Sequence, residues 1–157
     1  MNPEELVWLE PASPVGDEEI AKVEKELEVI FPDDYRAFLR KSQGGMPAQT
    51  DFKLRDPRKT TAAVGMFLST APGRDSDYIV SAAKILSDRL PPAVVPVAIG
   101  PGGDYVVLDL REARPRVLYW HHERAGEPAE FTFVSDSFAG FIGQLYEPDA
   151  ETEAELD

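Results

Sequence analysis

The stretch VPVAIGPGGDYVVLDL, Val95 to Leu110, decides how the chain folds. Two apolar runs flank Gly100, Pro101, Gly102 and Gly103. In a phosphate-binding loop, such glycines lead into a helix whose first amides hold the phosphate. In a hairpin, they form the turn between two strands. A Walker loop needs G-x-x-x-x-G followed by Lys and Ser or Thr. Five residues on from Gly100 stands Tyr105, and no lysine comes after it. A dinucleotide fingerprint needs glycine at that same position and then a helix. Instead the chain continues as YVVLDL, a strand, and Asp104 would repel a phosphate. Glycine supplies positive φ and aspartate favours turns, so every residue fits a hairpin.

Reading outward, the alternating pattern predicts strands at Val94–Ile99, Asp104–Leu110, from Arg116 in RVLYWHHE, and from Glu130 in EFTFV. Their short connections predict an antiparallel meander. Upstream, the period is helical. Asp17 suits an N-cap, and Ile20, Val23, Leu27 and Ile30 share one stripe of a helix over 17–29. Pro32 opens a second helix, with Asp33 and Asp34 in its first turn and Tyr35, Phe38 and Leu39 as its stripe. Gly44 and Gly45 end it. Residues 46–60 read as a long loop or an edge hairpin, and Thr61–Ser69 as a strand with a bulge at Gly65. Asp75 or Ser76 caps a third helix carrying Tyr78, Ile79, Ala82, Ile85 and Leu86 and ending near Leu90. The closing helix is capped by Ser135 or Asp136 and buries Phe138, Phe141, Ile142 and Leu145. The organisation expected is a lead-in over 1–16, with a short turn around Leu6 to Leu9, a domain over 17–146, and an acidic, disordered tail over 147–157.

Composition narrows the function. The chain has 157 residues and no cysteine, which removes disulfides, thiolate metal sites and a thiol nucleophile. Acids outnumber bases 29 to 16, a net charge of -13. Without the last eleven residues the balance is still 23 to 16. Nucleic-acid binding depends on neutralising phosphates, so this charge excludes it and favours a basic partner. No apolar run approaches the roughly 18 residues of a membrane helix. No secretory leader is visible at the N-terminus, so a cytoplasmic protein is expected.

No motif demands catalysis, a metal or a cofactor. Neighbouring His121 and His122 of WHHE point to opposite faces of a strand and cannot readily share a metal. RDSD, Arg74 to Asp77, lacks the glycine and distal glutamate of a calcium loop. No serine sits in a G-x-S-x-G elbow. The strands point instead to binding. In Tyr105–Leu110, Val106, Leu108 and Leu110 face one way, and Tyr105, Val107 and Asp109 the other. With the helices on the first face, the second is expected to be open and to carry Tyr105, Asp109, Tyr119 and His121, with Asp104 at the turn. Tyrosine is enriched at protein interfaces, and such a face suits a basic protein.

Four stretches carry a family resemblance: DEEIAKVEKELEVIFPDDYRAFLRKSQGG, VVPVAIGPGGDYVVLDL, RVLYWHHE and VSDSFAGFIGQL. Their order resembles the SUKH superfamily, specifically the group named for a fungal cell-wall-synthesis regulator. Two positions depart from the pattern. Gln43 stands where Asn is frequent, and Gly-Pro stands where Asp-Gly is frequent. The resemblance implies an α+β domain, with helices packed on one side of a curved, mainly antiparallel sheet, and no catalysis or cofactor. Bacterial members resemble immunity proteins that bind and neutralise a polymorphic toxin. The cognate toxin is then expected to be basic, and a nuclease would fit. Fungal relatives imply an alternative, a regulatory scaffold for a cell-wall or signalling complex. Monomer and homodimer both remain open.

Overall fold

A computed structural model describes residues 7–10, 16–41, 45–70 and 78–148, with only the backbone for Trp8–Glu10. In chain order the elements are β1 (Trp8–Glu10), α1 (Asp17–Leu27), α2 (Asp33–Lys41), β2 (Met46–Pro47), β3 (Asp51–Lys53), β4 (Thr61–Ala63) and β5 (Met66–Phe67). They continue with α3 (Ile79–Ile85), β6 (Val94–Ile99), β7 (Tyr105–Asp109), β8 (Arg116–Trp120), β9 (Phe131–Ser135) and α4 (Phe138–Gln144). Strands β5 to β9 form one antiparallel sheet in sequence order, as a meander must. β3 and β4 pair as a separate hairpin, and β1 pairs with β2.

The glycine stretch is a hairpin turn. The Gly100 amide donates to the Asp104 carbonyl (2.8 Å), and the Gly103 amide donates to the Gly100 carbonyl. Gly103 has φ +91°, where a side chain would be strained. A bulge between Pro96 and Ala98 lets Val97 and Ala98 both enter the main core. At Gly65 the chain leaves the β3–β4 hairpin for the main sheet. The Gly65 amide donates to the Ile99 carbonyl (2.8 Å), and a Cβ there would sit 3.1 Å from that oxygen.

One face of the sheet carries Val95, Val106, Leu108, Val117, Tyr119 and Val134. It shares a core with Ile20 and Val23 of α1, the Tyr35, Phe38 and Leu39 stripe of α2, and Phe138, Phe141 and Ile142 of α4. Burying side chains of this size gives roughly 1.5–3 kcal/mol each. The other face holds Val94, Val107, Leu118 and Trp120 beneath Leu86 and Leu90, which lie just beyond α3 in the chain. The helices thus lie mainly on one side, and the turns after α3 wrap round to the second.

Local details correct several expectations. Gly16, not Asp17, is the N-cap of α1, and its amide donates to Glu19 Oε2 (2.9 Å). α1 ends at Leu27 because Glu28 turns left-handed, with φ 57°. Ile30 is therefore 79% exposed, and Phe31 takes the buried place. Residues 46–60, expected as a long loop or an edge hairpin, contain β2 and β3, which pair with β1 and with β4 and not with each other. Around Leu6 to Leu9 the described part is the strand β1, not a turn. In α3, Ile85 points outward and Val80 inward. Ser137 caps α4 by accepting the Gly140 amide (2.9 Å). A Cβ on Gly140 would lie 2.5 Å from Ser135 Oγ, which explains glycine inside that helix. Asp34 of α2 accepts the Ala139 amide (2.9 Å) and ties α2 to the same helix start. The proposed caps Asp75 and Ser76, the helix stop Gly44 and the acidic residues from Asp149 onward lie outside the described residues.

Candidate functional site

The register of β7 against β8 determines what the second face displays. Asp109 pairs with Arg116, Val107 with Leu118, and Tyr105 with Trp120. Residues directly opposite in an antiparallel pair point the same way. Tyr105 and Asp109 therefore share their face with Trp120 and Leu118. Tyr119 and His121 lie on the opposite side, towards the helices. This corrects the expected grouping of Tyr105, Asp109, Tyr119 and His121 on one open face.

Each of the five candidates has a definite place. Tyr119 is buried, and its hydroxyl donates to Asp104 Oδ2 (2.7 Å). The backbone amide of His122 donates to Asp104 Oδ1 (3.0 Å), and His122 Nδ1 touches the same oxygen. Burial works to raise the Asp104 carboxyl, but the hydrogen bonds from Tyr119 and His122 outweigh it and hold it below its ordinary value. Burial and the bond to Asp104 both raise the Tyr119 hydroxyl. Asp104 is thus an anchor joining the turn, β8 and the helical turn His122–Arg124. His121 is buried, with Nε2 2.8 Å from Thr132 Oγ1, and burial lowers its pKa. Asp109 is only 2% exposed. It accepts from Arg111 Nε (2.8 Å) and from Arg116, and these bonds overcome the burial effect to hold it at about 2. Tyr105 is half-buried, its ring 6.2 Å from that of Trp120.

Two hollows flank these groups. A cavity of about 290 Å³ beside the turn is lined by Lys59, Thr61, Pro101, Gly102, Asp104 and Tyr119. Asp51 lines it too, and the Asp104 carboxylate there is already occupied by three donors. A larger one, about 590 Å³, lies between the end of α1 and the start of β6, among Glu28, Ile30, Ala93 and Leu110. Glu28 and Ala93, the described non-glycine residues with positive φ, both line it. Among the described residues, no three of His, Asp and Glu gather in a way that would hold a metal ion.

The exposed aromatic surface lies elsewhere on the second face, and strand alternation did not reveal it. β9 pairs with β8 so that Phe131 opposes Trp120 and Phe133 opposes Leu118. Phe131 is half-buried, and Phe133 is 44% exposed. Leu86 and Leu90 cluster with Val94, Val107, Leu118 and Trp120 on this face, Tyr105 and Phe131 pack partly buried against that cluster, and Phe133 lies exposed on β9. Nearby, Glu130 accepts the Trp120 indole N–H (2.8 Å), and Glu123 and Glu127 lie exposed in the segment joining β8 to β9. Arg124, in the same segment, is held by Asp56 through two bonds of 3.2 and 2.9 Å. The signal was present in EFTFV, where Phe131 and Phe133 alternate with Thr132.

An antiparallel meander with helices mainly against one face and partly exposed aromatic side chains on the other defines an α+β domain. The motif order that resembled the SUKH superfamily is matched by a model of that group. The chain belongs to the SMI1 / KNR4 family (SUKH-1), whose family model matches residues 14–144. This family includes immunity proteins. The chain is also similar to the SPbeta prophage-derived uncharacterized protein YokK of Bacillus subtilis (strain 168). The two are 23% identical over 158 residues, covering 90% of this chain and 80% of that protein. Among the described residues, no helix is long and apolar enough to cross a membrane.

Proposed function

We propose that this protein is a non-enzymatic immunity protein that binds and neutralises a cognate, basic toxin in the cytoplasm. The observation carrying this reading is the partly exposed aromatic group Tyr105, Phe131 and Phe133 on the face where Glu130 holds Trp120, with Glu123 and Glu127 exposed in the segment joining β8 to β9. Aromatic side chains supply binding energy when a partner excludes water from them. The acids set the rate of encounter and the choice of partner. Of the five residues first singled out, Tyr105 contacts the partner directly. Asp104, Asp109, Tyr119 and His121 hold the turn and the sheet that present it. Membership of a family that includes immunity proteins supports this reading, and a prophage-derived relative is in keeping with it.

The test is co-expression with a toxin encoded beside this protein. Cells carrying both survive, and cells carrying the toxin alone do not. Equal killing with and without this protein would overturn the proposal. Association of the purified pair should also slow as salt rises, because screening shortens the field.

A further inference from the structure

We propose that the β3–β4 hairpin is a docking surface for the acidic segment 149–157 of the same chain, held in an extended form. The hairpin departs from the acidic character of the molecule. Lys53, Arg55, Arg58 and Lys59 lie within seven residues, and all four are exposed. The single acid among them, Asp56, is buried and bound to Arg124. No ion pair joins the four bases to a described acid.

The spacing of these bases matches that of the segment. Phe52, Leu54 and Asp56 are buried, while Lys53 and Arg55 between them point outward, as alternation in extended chain requires. Lys53 pairs with Thr61, and the Leu54 amide donates to the Thr60 carbonyl (2.9 Å). Lys59 therefore returns beside Arg55 on the outer side. In DAETEAELD, acids occupy positions 149, 151, 153, 155 and 157, every second residue. In extended form all five carboxylates fall on one side, with Ala150, Thr152, Ala154 and Leu156 on the other.

The end of the described chain lies beside this surface. Asp51 and Tyr146 exchange two backbone hydrogen bonds (3.0 and 2.9 Å), so the chain leaves along β3. The Lys53 ammonium already stands 5.7 Å from the centre of the Tyr146 ring. The Asp51–Tyr146 bridge is antiparallel, so the chain must reverse direction after Tyr146 to reach Arg55 and Lys59. Pro148 stands where such a turn is needed. Nine extended residues span about 30 Å, ample for a hairpin whose outer bases lie within roughly 20 Å of that point.

The test uses the whole chain, which has no native cysteine. A nitroxide is attached to a Leu156→Cys variant, which leaves all five acids in place. Amide signals of Arg55, Arg58 and Lys59 should broaden selectively at low salt. The broadening should fade at high salt and in the triple variant Glu151→Gln, Glu153→Gln, Glu155→Gln. A second variant keeps the charge but breaks the alternation: Thr152→Glu with Glu153→Thr, and Ala154→Glu with Glu155→Ala. It should broaden the hairpin at least severalfold less. Broadening spread evenly, or centred on another surface, would overturn the inference. Equal broadening with the alternation broken would overturn it too.

Discussion

The Glu24 carboxylate receives the Arg36 guanidinium (2.7 and 2.9 Å) and the Phe31 backbone amide (2.7 Å) at once. One side chain on α1 thereby fixes the left-handed exit at Glu28, the entry of Phe31 into the core and the first turn of α2. The Phe31 amide is buried, and a buried donor left without an acceptor costs about 1–3 kcal/mol.

Glu24→Ala should therefore lower stability by about 1–3 kcal/mol. Arg36→Ala should cost less, because it leaves the Phe31 amide bonded. Urea unfolding of the two variants measures this order. An equal loss in both would mean that the ion pair, and not the amide, carries the effect.

Tyr35 gives a prediction of opposite sign. Its ring packs at 5.0 Å from Phe31 and 4.8 Å from Phe138, but its buried hydroxyl has no hydrogen-bond partner among the described residues. Tyr35→Phe keeps the ring and removes the unsatisfied group. Stability should stay level or rise by up to about 1 kcal/mol. A clear loss in thermal unfolding would show that the hydroxyl holds a bound water.

Asp109 contributes stability that depends on pH. Its folded value is held at about 2 by Arg111 and Arg116, below the ordinary 3.8. A carboxyl depressed by folding stabilises fully above its unfolded value and loses that contribution as pH falls through the folded one. The stability gap between the native protein and Asp109→Asn should thus be largest above pH 4 and shrink towards pH 2. Denaturant midpoints across that window give the measurement, and a constant gap would contradict the assignment.

One physical distinction separates the features the residues revealed from those where they misled. Turn chemistry is local, so the Gly100–Gly103 hairpin, the ends of β6 to β9 and the order of the meander were legible. Which face a residue occupies depends on pairing between strands, and a shift of one residue reverses it. In β7 and β8, both faces bury apolar side chains, among them Val106 and Leu108 on one and Val107 and Leu118 on the other. The alternation therefore carried no sign. Asp109 opposite Arg116 fixes it, a charge match visible in the sequence only once the register is known. Ile30 misled for a related reason. Helical spacing placed it in the core stripe, but the left-handed Glu28 ended α1 first.

The aromatic strip yields the prediction that bears most on function. Phe133 is 44% exposed on β9, whose neighbour among the described strands is β8, so its removal leaves little cavity. Phe133→Ala should leave the unfolding midpoint nearly unchanged. If the strip meets a partner, the same change should weaken that complex by about 2 kcal/mol, roughly thirtyfold, as loss of a central aromatic anchor does. Tyr119→Phe serves as the contrast. It removes the bond to Asp104 behind the sheet and should cost about 1 kcal/mol of stability with little change in affinity. Calorimetry of the complex with both variants separates a binding face from a structural one. If Tyr119→Phe weakened binding and Phe133→Ala did not, the partner would meet the turn cavity at Asp104 and not the aromatic strip.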